Sequence, residues 1–180
     1  MYKRIFTRVA LHQTKAHRIA LGAILGGMAA ILQFTGALGG AGYAFSMAAT
    51  LPIVLASVAA LQTGVLAYLL AVCLLLLIQP SELIVFPFTT GLLGLSLGAA
   101  LHFFRNKSII VLFSGASLTI GIGLIVELFG FPILGPGLSS VLSPKVLPFV
   151  FLGSALYSWG WMVLSMKLIS LLSRQLKRGS

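Results

Sequence analysis

Between Arg18 and Glu82 the chain runs for 63 residues without a charged side chain. A soluble domain does not carry such a run, because its surface must meet water. One bilayer crossing takes about 20 apolar residues, so the run is long enough for roughly three. The rest of the chain has the same texture, with 59% hydrophobic and 8% charged residues over 180 positions. This is the composition of a polytopic membrane protein.

Lys3, Arg4, Arg8, Lys15 and Arg18 precede or open the first apolar stretch. That stretch is about 20 residues long, more than a cleaved signal usually has, and reads as an uncleaved first span. The later breaks give spans at 17–36, 44–60, 64–79, 83–104, 108–129 and 147–170. Pro52 is expected to bend the second span, and Gln62-Thr63-Gly64 to form the turn before the third. Segment 1–16 is basic, with Ile5, Phe6, Val9 and Leu11 interspersed; it reads either as an interfacial helix or as a frayed tail. Residues 130–146 are broken by Pro and Gly and read as a loop dipping over the outer face. A six-helix transmembrane domain thus covers 17–173, followed by a basic tail over 174–180.

Six spans place both termini on one side. Of the twelve Lys and Arg residues, all but Lys145 then fall on that side, as the positive-inside rule requires of the cytoplasm. Five or seven spans would scatter them over both faces. The expected fold is therefore all-α, polytopic, N-in and C-in, in a plasma membrane. In a soluble protein the net charge of +10 would suggest nucleic acid. Here the cations cap apolar runs, so membrane lipid is their expected partner and nucleic acid is not. Cys73 is the sole cysteine, which excludes an internal disulfide.

Two small-residue patterns predict close helix contacts. The first span pairs Ala16/Ala20, Gly22/Gly26, Ala23/Gly27 and Gly26/Ala30 at four-residue spacing, which allows a partner backbone to approach in lipid. In the fourth, Gly91, Gly94 and Gly98 share one face. These two spans also look alike, LGAILGGMAAIL against TGLLGLSLGAAL, as an inverted repeat would.

The chain has two acids, Glu82 and Glu127, and both map to the outer half. Gln33, Tyr43, Gln79, Thr89, Thr90, Tyr157 and Trp161 map there too. An ionised group at membrane depth needs water or a partner. Glu127, about 20 residues beyond Lys107 and so roughly 30 Å along its helix, is expected to face a polar cavity near Tyr157 and Trp161. It reads alternatively as a carboxylate among headgroups. Ser154, Ser158, Trp161 and Ser165 share a face of the last span, which suits either a ligand pocket or interhelical packing with hydroxyls bonded to their own backbone. The candidate substrate-binding set is Gln33, Tyr43, Glu82, Thr89, Glu127, Tyr157 and Trp161. There is no phosphate-binding GxxxxGK[ST] loop and no HExxH zinc motif. His12, His17 and His102 map to the cytoplasmic half, remote from the acids. No catalytic residue, metal site or cofactor is expected.

The layout of a basic N-terminus, a small-residue first span, LPIVLASVAALQTGVLAYLL and IVFPFTTGLLGLSLGAAL resembles the substrate-binding S components of energy-coupling factor (ECF) vitamin transporters. The resemblance covers roughly residues 15–175. It implies a prokaryotic six-helix subunit that binds a vitamin or similar small nutrient near the outer face, with loops 1–2 and 5–6 closing over it. It also implies a separate membrane coupling subunit and ATPase subunits. The family's AxxxA docking pattern maps onto Ala16 and Ala20, with Ala23 and Gly27 as the next pair. No residue set of a particular vitamin binder is matched. The alternative is a non-transport membrane scaffold, or a cell-envelope assembly protein, binding partner proteins through its glycine faces. An ion-conducting protein would show acids in mid-membrane, which this sequence lacks.

Overall fold

A computed structural model describes residues 14–130 and 145–178. Segment 1–13 and most of the 130–146 loop, on which the interfacial-helix and outer-loop expectations rest, lie outside the described residues. Among those described, all regular structure is helical. Six units are long and apolar enough to cross a membrane: Lys15–Leu38, Gly42–Ala59, Leu61–Ile78, Glu82–Phe103, Lys107–Phe129 and Leu147–Leu171. The helices are α1 (Lys15–Phe34), α2 (Gly42–Met47), α3 (Thr50–Ala59), α4 (Leu61–Ile78), α5 (Glu82–Val85), α6 (Thr90–Phe103), α7 (Lys107–Phe129) and α8 (Leu147–Arg178). Short 3-10 turns extend α1 over Thr35–Leu38 and join α5 to α6 over Phe86–Phe88.

Helix ends follow local chemistry. The Thr14 side chain accepts from the His17 N–H at the start of α1, and Asn106 accepts from the Ser108 N–H before α7, each satisfying a first-turn donor. Gly130 ends α7 in the left-handed region (φ 61°), with its N–H donating to the Val126 carbonyl, where glycine avoids a Cβ clash.

Three boundaries differ from the sequence expectation. The second span breaks at Ala48–Ala49, and Pro52 is the third residue of α3 rather than a mid-span kink. In a first turn the missing N–H has no helical partner to lose. The turn before the third span is the extended residue Ala60, so Thr63 and Gly64 are already inside α4. The last helix runs through the basic tail to Arg178.

Packing is set by backbone approach. A Cβ on Gly26 would lie 2.6 Å from the Ala67 carbonyl oxygen of α4, and one on Gly94 would lie 2.8 Å from Ile53 Cβ of α3. Gly98 presses on Ser57 of α3, so the glycine face of the fourth span makes the expected helix contact. Ala29, Ala30, Ile53, Ala67, Ala71, Leu75 and Phe86 form one core between the first four spans. Val54, Leu97, Ile110, Met162 and Ile169 form a second, toward α7 and α8. The repeat expectation is not expressed in the packing: α1 lies along α4, whereas α6 hardly touches α8.

The fourth span is discontinuous, which the sequence reading missed. Pro87 sits in the 3-10 turn between α5 and α6. The freed Pro87 carbonyl accepts from the Tyr68 hydroxyl at 3.1 Å, and the Tyr68 ring stacks on Phe86 at 6.0 Å. Thr89 donates to the Val85 carbonyl at 2.7 Å. Irregular backbone at membrane depth persists where neighbouring groups satisfy it in this way or where it lines a cavity.

Candidate functional site

A cavity of about 1150 Å³ opens at the end of the bundle where α1 finishes and α5 and α8 begin. Lys15, Arg18, Arg105, Lys107, Lys167 and Arg174 fall at or toward the opposite helix ends. The break in the fourth span carries Glu82, Thr89 and Thr90 into one wall, and Gln33 and Gly36 come from the end of α1. Tyr43 and Ser46 of α2 line another side, facing Phe149, Ser154 and Tyr157 of α8. Leu118 and Ile122 of α7 add apolar surface.

The polar centre of the wall is a three-residue chain. Gln33 is 2% exposed. Its Nε2 donates to Glu82 Oε2 at 2.8 Å, and its Oε1 accepts from the Thr90 hydroxyl at 2.8 Å. The amide orientation is thereby fixed: a flipped Gln33 would point its oxygen at a carboxylate. A Cβ on Gly36 would stand 3.4 Å from Glu82 Oε1 and 3.2 Å from Ser46 Cβ, so the small residue leaves the second carboxylate oxygen room. Thr35 donates to the Leu32 carbonyl at 2.6 Å and to the Gly42 carbonyl at 3.2 Å, tying the end of α1 to the start of α2.

On α8, Ser154, Ser158 and Ser165 are buried on one face, as their spacing predicts. Their hydroxyls are not bonded to their own backbone, and none has a hydrogen-bond partner among the described residues. By contrast Ser57, Ser114 and Thr119 donate to the carbonyl four residues back. Ser154 lines the cavity. The Tyr157 ring meets Trp161 edge-on at 6.1 Å, and its hydroxyl lies beside Thr50, whose own hydroxyl closes no bond of regular geometry.

Five of the seven candidate binding residues line this cavity: Gln33, Tyr43, Glu82, Thr89 and Tyr157. Trp161 stands behind Tyr157, packed between Met162 and Leu118 neighbourhoods of the core. Glu127 is not among the described residues that line the cavity. It is exposed on α7, on the face of Ile120, Leu124 and Leu128, while Leu118 and Ile122 meet the cavity. Gly36 and Ser46 were not anticipated. Their signal was the density of small and hydroxyl residues after the first span, which reads as a loop until α2 folds back. Among the described residues no three His, Cys, Asp or Glu side chains gather as a metal site would need.

The described residues form an all-helical, multi-pass membrane fold with a polar-centred pocket at the end away from Lys15, Arg18, Arg105, Lys107, Lys167 and Arg174. No family model matches the chain, and comparison with curated proteins and with solved structures finds no significant match.

Proposed function

We propose that the chain is the substrate-binding subunit of an uptake system for a vitamin or similar small nutrient. It sits N-in and C-in in the plasma membrane of a prokaryote and works with a separate coupling subunit and ATPase subunits. The observation that carries the reading is the pocket: an apolar wall with the Gln33–Glu82–Thr90 chain at its centre, built on a broken span. Discontinuous helices are where membrane transport proteins place their substrates. A scaffold binding through helix faces needs no such pocket.

The coupling role draws support from α1. Its Gly22 and Gly26 are buried against α4, whereas Ala16, Ala20 and Ala23 are exposed and nothing lies within 4 Å of a Cβ built on Gly27. One small-residue face is used inside the bundle and a second is left outside. A bulky side chain on the second removes the many weak contacts that close approach allows. Ala20→Leu and Ala23→Leu are expected to lower recovery of coupling and ATPase subunits from native membranes severalfold at equal expression. Unchanged recovery for both would assign this face to lipid.

The orientation has its own check. A cysteine placed in the tail after Arg174, in a Cys73→Ser background, should resist a membrane-impermeant maleimide in intact cells and react after lysis. Labelling in intact cells would overturn the N-in, C-in arrangement and put the pocket on the cytoplasmic side.

A further inference from the structure

The charge inventory around the pocket is short. Glu82 is the charged side chain of its lining. Segment 131–144, outside the described residues, contains no Lys, Arg, His, Asp or Glu in its sequence. Lys145 is exposed and outside the lining, and Glu127 is exposed on another face of α7. Glu82 is half-buried, and its carboxylate accepts a hydrogen bond from a neutral amide, that of Gln33. A carboxylate drawn out of water favours a cationic partner.

A second observation points the same way. Ser154 is 4% exposed, lines the cavity and has a hydroxyl without a partner among the described residues. Tyr43, Phe149 and Tyr157 line the same space, and aromatic faces attract cations. We propose, resting on the substrate-binding reading, that the occupant is a small organic cation. Its charged nitrogen sits at Glu82 with Gln33 holding the carboxylate in place, and a polar group at its other end reaches Ser154. Among the described residues Glu82 belongs to no group of three His, Cys, Asp or Glu side chains of the kind that holds a transition metal.

The probe is yeast extract, split by ion exchange at neutral pH into cationic, neutral and anionic fractions, added to the purified full chain in detergent. The cationic fraction is expected to raise the thermal unfolding midpoint, and the other two are not. Glu82→Gln keeps an acceptor for Gln33 and removes the charge. It should need roughly tenfold to a hundredfold more of the fraction for the same shift, the range for a lost hydrogen bond to a charged group. Glu127→Gln, the same change outside the pocket, should behave as wild type. A shift produced by the neutral or anionic fraction, or one that survives in Glu82→Gln, overturns the cation assignment and leaves the binding reading standing. If Glu82→Gln does not fold, the identity of the active fraction on wild type still decides. No shift with any fraction overturns both.

Discussion

Gly26→Val is expected to abolish most of the folded protein, and Gly27→Val to leave folding as it was. The two glycines are neighbours on α1, and both have ordinary helical backbone, so propensity does not separate them. What separates them is what the added carbon meets. At position 26 it meets the Ala67 carbonyl oxygen at 2.6 Å and Ala67 Cα at 3.1 Å, both backbone of α4. Backbone in a packed helix cannot rotate aside as a side chain can, so α1 and α4 must move apart. Overpacking costs about 1–3 kcal/mol and occasionally more, and this site belongs at the upper end because nothing flexible absorbs the strain. Helix association in lipid also rests on close van der Waals contact rather than on a hydrophobic drive, so separation removes the force holding the pair. At position 27 the carbon meets nothing within 4 Å, and the change should stay within about 0.5 kcal/mol, as for a surface substitution. Monodisperse yield on size exclusion, with thermal unfolding in detergent, measures both. Equal loss in the two variants, or none in either, would contradict the α1–α4 contact.

The same pair of glycines shows how far the sequence could be read. Four-residue spacing announced small-residue faces on the first span, but 22/26 and 23/27 are equally spaced. Which face turns inward is a matter of rotation about the helix axis, and one residue shifts that by about 100°. Glu127, exposed on α7 and outside the described lining, shows the same limit. Counting residues from Lys107 gave its depth but not its azimuth, and one step along the helix from Val126 turns it to the outer face. Glu82 had the opposite history. It fell just outside the span given as 83–104, because hydropathy averages across the Phe86-Pro87-Phe88 turn and makes the fourth span look continuous. Once the span breaks, Glu82 becomes the first residue of α5 and swings to Gln33. Pro52 read as a bend in span two and Pro87 went unread in span four, because a proline in a helix's first turn and one between two helices look the same in a hydropathy profile. The number of spans and their approximate ends needed only length and charge, so they were legible.

Gln33→Leu tests whether the polar chain holds the pocket together. The change keeps roughly the side-chain volume, so cavity formation is not the issue. It removes the donor to Glu82 and the acceptor for Thr90 together. A hydrogen bond to a charged group contributes about 1.5–3 kcal/mol, and an orphaned buried hydroxyl costs about 1–3. Two effects pull the sum down. Leucine gains from burial at a site where Gln33 is 2% exposed. Hydrogen bonds between membrane helices average only about 0.6 kcal/mol, because the unfolded chain also finds partners in the bilayer. A net loss of about 2 kcal/mol follows, read as a lower unfolding midpoint. Thr90→Val removes one link and should cost less, about 1 kcal/mol. The double variant should fall short of the sum of the two, because once Gln33 is gone the Thr90 hydroxyl has no bond left to lose. Strict additivity would mean that Gln33 and Thr90 are not coupled. A fully stable Gln33→Leu protein would mean that water in the cavity serves Glu82 and Thr90 equally well, and that the pocket wall does not depend on the amide that joins them.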